Sequence, residues 1–162
     1  MPEATFAISN AGILDLDDLA PLFNAYRQFY IDTSLRYASY SQDTEEARAF
    51  LSQRLVQSDS RLYLVRDTAG KAIGFTQVFE SFSSMSLCRC WVLNDLFVLP
   101  ELRGQKIGAA LLAHVEREAK AIGVGMLTMQ TSPENVNAHR LYQKMGYQRE
   151  MGHLHFVRRL NQ

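Results

Sequence analysis

The chain has 162 residues, 47% of them apolar, and a formal net charge of zero. That length suits one domain, residues 1–162, around a single core. The charge balance, without a Lys/Arg run, argues against nucleic acid or an anionic membrane surface as the partner. No segment approaches the ~18 uninterrupted apolar residues of a membrane span. The start, Met1-Pro2-Glu3-Ala4-Thr5, lacks a basic-then-apolar signal pattern, so a cytoplasmic protein is expected.

In chain order, a strand is expected at Phe6–Ser9 and a helix from about Asp15 to Tyr30. Asp15, Asp17 and Asp18 suit that helix's positive end, and Leu16, Leu19, Leu22, Phe23, Tyr26, Phe29 and Tyr30 make its apolar stripe. Residues 31–43 mix turn formers with tyrosines and have no clean period. A second helix is read at Thr44–Gln57 with Thr44 as N-cap. Strands follow at Arg61–Asp67 and, after a turn at Ala69-Gly70, at Ala72–Phe79. Ser81–Ser86 reads as a polar connection to a long central strand, Cys88–Val98. Beyond it come a helix from about Lys106 to Ile122, a strand at Gly125–Thr131 and a helix at Pro133–Met145. Ser132 is the expected N-cap of that last helix, Pro133 its first turn and Gly146 its stop. Tyr147–Arg149 and His153–Leu160 read as closing strands. The fold class is α+β, a mixed sheet with helices on both faces. Cys88 and Cys90 fall on one strand face without further ligands at metal spacing, so no metal site is read.

The most informative stretch runs from Val98 to Leu112, where a strand ends, a glycine turn follows and a helix opens. Free N–H groups and the helix dipole then point outward together, which suits a phosphate group. Neither G-x-x-x-x-G-K-[ST] nor G-x-G-x-x-G occurs, since Gly104 and Gly108 are four apart. Arg103-Gly104-Gln105-Lys106-Ile107-Gly108 instead resembles the acyl-CoA signature of the GNAT superfamily of N-acetyltransferases, with Lys106 at the inner glycine position. That side chain is tolerable if its backbone is already helical, and its ammonium could meet a phosphate. A second segment, Asn135-Val136-Asn137-Ala138-His139-Arg140-Leu141-Tyr142-Gln143-Lys144-Met145-Gly146-Tyr147, resembles the superfamily's N-x-x-A-x-x-L-Y-x-x-x-G-[FY] helix. The two stand in the superfamily's order and separation, and the likeness spans roughly residues 61–160.

The resemblance implies a GNAT-like, mostly antiparallel sheet and acetyl-CoA as cofactor. It implies that the amides of Arg103, Gly104, Gln105, Lys106, Ile107, Gly108 and Ala109 hold the diphosphate. Leu96, Phe97 and Val98 would pair with the pantetheine arm, and Asn135 and Ala138 would line it, although Asn135 also suits an N-cap. Tyr142 would be the general acid toward the departing thiolate, where without the motif it would read as a core tyrosine.

The base is less legible. Polyamine-acetylating relatives carry Leu-Glu-Asp-Phe-Phe-Val in the central strand, whereas this chain has Leu93-Asn94-Asp95-Leu96-Phe97-Val98. An amide at position 94 is no base, and strand alternation sends Asp95 to the opposite face as a structural residue. Glu80 is the chosen alternative, with His153 and His155 behind it. Tyr26, Tyr30, Asp32, Arg36, Tyr37, Glu80 and Asn94 are the acceptor-site residues, aromatics and carboxylates suiting a cationic amine and Arg36 a substrate carboxylate. Tyr26 to Tyr30 together with Leu93 to Asp95 is loosely similar to Hpa-type histone and polyamine acetyltransferases. The function expected is direct acetyl transfer, in a ternary complex, to a primary amine of a small molecule or peptide. The alternative is a non-catalytic acyl-CoA-binding regulatory module. A homodimer is the further partner that the resemblance implies.

Overall fold

The computed structural model describes residues 5–160, so Met1–Ala4 of the signal reading lie outside the described residues. Strands β1 (Phe6–Asn10), β2 (Arg61–Asp67), β3 (Ala72–Ser83), β4 (Cys88–Val98) and β5 (Met126–Met129) form one sheet in that order. Neighbours from β1 to β4 run antiparallel. β5 joins β4 in parallel, the pairing that a helical crossover demands. The helices are α1 (Leu16–Thr33), α2 (Thr44–Gln57), α3 (Ile107–Ala121) and α4 (Val136–Lys144).

Both sheet faces are covered, which is why Leu62–Val65 of β2 are buried without alternation. On one face Leu19, Leu22 and Phe23 of α1 and Ala47 and Leu51 of α2 pack on Leu62, Leu64, Phe75 and Phe97. On the other, Ile107, Leu111, Leu112 and Val115 of α3 pack on Tyr63, Val65, Val78, Trp91 and Leu93, with Leu141, Tyr142 and Met145 of α4 alongside. Burying each such aliphatic side chain contributes roughly 1.5–3 kcal/mol, so the α3 stripe anchors the turn that precedes it.

Two irregularities of β4 position the site. β5 pairs only with Cys90–Leu93, so β4 and β5 part beyond Leu93. Opposite β3, Gln77 pairs with Asp95 and Val78 with Leu93, which leaves Asn94 as the extra residue of a β-bulge.

Several boundaries differ from the sequence expectation. Asp43, not Thr44, caps α2, its carboxylate accepting from the amides of Glu45 at 2.8 Å and Glu46 at 3.3 Å. α4 starts at Val136, capped by Asn135 rather than Ser132, so Pro133 precedes the helix. β3 continues to Ser83 because Ser81–Ser83 find partners in Cys88–Cys90. The segments 147–149 and 153–160 form no strands, since nothing among the described residues pairs with them. Among the described residues, no helix is long and apolar enough to cross a membrane.

Candidate functional site

The turn before α3 is shaped by two left-handed residues, Gly104 at φ +81 and Lys106 at φ +66. Lys106 is therefore not helical, contrary to the condition set for it above: it is the N-cap of α3 and keeps the conformation a glycine would favour. No acceptor among the described residues takes the N–H groups of Gly104 to Ala109; the first helical bond runs from the Ala110 amide to the Lys106 carbonyl. Six consecutive amides are thus without an acceptor among the described residues at the positive end of a 15-residue helix. Ile107 is 2% exposed, so only its amide is available. Gly108 packs close to α4, since a Cβ there would lie 3.1 Å from Leu141 Cδ2. Arg103 turns away from this cradle. Its Nε donates to the Val98 carbonyl at 3.0 Å, and its guanidinium lies over Phe29 and Phe97. One of the main-chain groups expected to meet a pantetheine arm is thereby engaged.

A cleft of about 660 Å³ opens between the C-terminal half of α1, the 34–40 segment, the bulge of β4 and the loop from β5 to α4. Tyr26, Tyr30, Arg36, Tyr37 and Asn94 of the expected acceptor set line it. Asp32 does not; its carboxylate accepts from Gln28 Nε2 at 2.7 Å. Tyr40, within the 26–43 stretch expected to wall the acceptor cleft, also lines it, as do Gln130, Thr131 and Glu134, which were not anticipated. Thr131 and Glu134 follow β5, where the sequence reads as the end of a strand and the first turn of a helix. Tyr30 bridges the two walls: its hydroxyl lies 3.4 Å from Thr131 Oγ1 and accepts from Asn135 Nδ2 at 3.3 Å. Asn135 is thus engaged at both ends, since its Oδ1 accepts from the Ala138 amide at 3.2 Å.

Tyr142 sits on the inward face of α4, packed against the α3 side of the core. Its ring centroid is 6.2 Å from that of Tyr147. Burial, with Tyr30 and Tyr147 nearby, pushes its phenol well above the usual value. The hydroxyl therefore stays protonated at any working pH, which suits a hydrogen-bond donor.

Glu80 is not brought to this cleft. Arg61 holds its carboxylate at 2.9 Å and Arg89 lies at 3.5 Å. The hydrogen bond from Arg61 keeps its carboxyl below the ordinary range, which weakens it as a base. His153 and His155 are exposed on the tail. Asp95, set aside on strand alternation, is corrected by the bulge. Its side chain is within reach of Asn94, whose Nδ2 donates at 3.0 Å, and Gln77 Nε2 donates at 2.8 Å. Asp95 is 4% exposed, and no cation pairs with it among the described residues. Burial pushes its carboxyl up to about 6, against the opposing hydrogen bonds of Tyr26, Gln77 and Asn94. Tyr26 lines the cleft next to this carboxyl's strand position, its hydroxyl lying 3.4 Å from the Asn94 carbonyl.

The chain was compared with known proteins. Residues 19–147 match the model of the Acetyltransferase (GNAT) family. An uncharacterized N-acetyltransferase of Bacillus subtilis (strain 168), YhfO, is 40% identical over 149 residues, covering 92% of this chain and 94% of that protein. The aminoalkylphosphonate N-acetyltransferase of Salmonella typhimurium is 39% identical over 91 residues, 56% of this chain and 58% of its own length. A crystal structure of a probable acetyltransferase superposes with a TM-score of 0.82 at 32% identity, covering 96% of this chain and 99% of that one.

Proposed function

The chain belongs to the GNAT family of acetyltransferases, and from that premise we propose that it moves an acetyl group from acetyl-CoA to the primary amine of a small molecule, directly, with both bound at once. The observation that carries this reading is the pairing of two features across β4. Six unpartnered amides lie at the start of α3, and a cleft of about 660 Å³ opens at Asn94, where β4 and β5 part. A space of that size suits a small ligand.

The amides of Gly104 to Ala109 fit a diphosphate, and the Lys106 ammonium shares their turn. Leu96 and Phe97, beyond the end of β5 pairing, suit the amides of a pantetheine arm as an added strand would. When bound, acetyl-CoA supplies the activated acetyl group and a thiolate as its leaving group. Tyr142 retains its proton and donates a hydrogen bond that strengthens as charge grows on a neighbouring acceptor.

The amine must shed a proton before it attacks. Tyr26 accepts that proton while passing its own to Asp95, leaving a neutral amine, an unchanged phenol and a protonated carboxyl. With the Asp95 carboxyl at about 6 rather than 3.8, the transfer is about 3 kcal/mol less uphill than to an ordinary aspartate. The test is thiol release from acetyl-CoA across a panel of amines, with mass analysis of the amine. Acetylated amine in step with free thiol is expected. No thiol release with any amine, and no heat on titrating coenzyme A, removes the reading.

A further inference from the structure

The charges around the cleft divide by depth. At its mouth, Arg36 makes no ion pair among the described residues, and its guanidinium lies 5.4 Å from the Tyr37 ring centroid. Arg159, from the C-terminal segment, donates to the Tyr40 hydroxyl at 2.8 Å and lies over that ring, again without a carboxylate. Arg27 lines the same wall and donates to the Ser41 carbonyl at 2.7 Å. The lining itself carries two guanidinium groups, Arg27 and Arg36, against one carboxylate, Glu134, and Arg159 adds a third guanidinium at Tyr40. At the other end, by Asn94, sits the buried Asp95 with its link through Tyr26. The cleft therefore carries guanidinium groups along the wall from residue 27 to 36 and has a buried carboxyl next in sequence to its lining residue Asn94.

We propose that the acceptor is an amine that also carries an anionic group, a carboxylate, phosphate or phosphonate, held at the mouth of the cleft by Arg36 with Arg159 beside it. This rests on the acetyltransfer reading above and narrows its substrate. A planar guanidinium binds such anions through two parallel hydrogen bonds. A polyamine would instead bring a second ammonium against Arg36. Like charges so placed discriminate against the wrong ligand as strongly as good contacts favour the right one.

The experiment measures kcat/KM for chain-matched amines: 4-aminobutyrate, 3-aminopropylphosphonate, 1-aminobutane and 1,4-diaminobutane. The two anionic amines should exceed 1-aminobutane by about tenfold to a hundredfold, the worth of a charge-assisted hydrogen bond, with 1,4-diaminobutane lowest. Preference between carboxylate and phosphonate identifies the anion. Arg36→Gln should raise KM for the anionic amines by a similar factor, leave 1-aminobutane unchanged and keep the thermal midpoint. Arg159→Gln, an independent exposed position, should do the same to a smaller extent. Best turnover of the diamine, or an equal loss for all four amines in Arg36→Gln, overturns the anion site while leaving acetyl transfer intact. Absence of thiol release with all four, and with the wider panel, instead removes the enzyme reading beneath it.

Discussion

At Tyr142 and Asp95, burial acts on two ionisable groups in the same direction with opposite consequences: the phenol holds its proton and the carboxyl gains an affinity for one. Tyr142→Phe is expected to lower kcat by about 10²–10⁴-fold with coenzyme A affinity nearly unchanged, because the lost bond matters chiefly as charge develops. Single-turnover kinetics with parallel calorimetry check this, and wild-type turnover removes the role. The Asp95 carboxyl titrates near 6 in the fold against 3.8 unfolded, so the folded state binds more protons between those values. Stability from this group is present below about pH 4 and lost as pH rises through about 6, a change of about 3 kcal/mol. Denaturant unfolding between pH 4 and 7 should show that fall in the wild type and not in Asp95→Asn. The same variant should lose the acidic limb of the kcat/KM profile near pH 6, whereas Glu80→Gln should keep it.

The elements most legible in the sequence are those whose pattern is local. The apolar stripe of α3 and the apolar run of β4 each specify their own conformation, and the β4 boundaries came out as read. The bulge at Asn94 left no local signal, since it reflects a mismatch in residue count between β3 and β4. That non-local fact hid Asp95. Thr44 and Ser132 were sound cap types, displaced by Asp43 and Asn135, whose carboxylate and amide oxygens met the free amides instead. Lys106 was legible as a departure from the motif but not in conformation. A left-handed residue with a Cβ costs about 1–2 kcal/mol, and glycine returns roughly half of that as unfolded-chain entropy. Lys106→Gly should therefore stabilise the protein by about 0.5–1 kcal/mol in thermal melts. If its ammonium meets a phosphate, the variant should also bind coenzyme A more weakly, with a shallower salt dependence.

For the whole molecule, the C-terminal segment is the part that the described chain leaves without partners. Met151, Leu154, Phe156 and Leu160 are each at least 73% exposed, while Arg159 reaches Tyr40. The segment reads as closing strands in the sequence, but a strand needs a neighbour, and among the described residues β5 offers a free outer edge. We expect pairing between two copies through this segment. Sedimentation should show a concentration-dependent dimer that a chain ending at Gly152 loses, and a persistent monomer for the full chain would exclude it.

The contact between Gly108 and Leu141 has an evolutionary consequence. It sets the start of α3 close against the turn of α4 that bears Tyr142, where a methyl group would lie 3.1 Å from Leu141 Cδ2 and that side chain would have to yield slightly. The cleft is walled by other parts of the chain, α1 and the 34–40 segment, with Arg159 of the tail touching Tyr40. Diversification can thus redraw the proposed acceptor wall, residue by residue, while the α3–α4 half proposed to hold the donor is inherited as a unit.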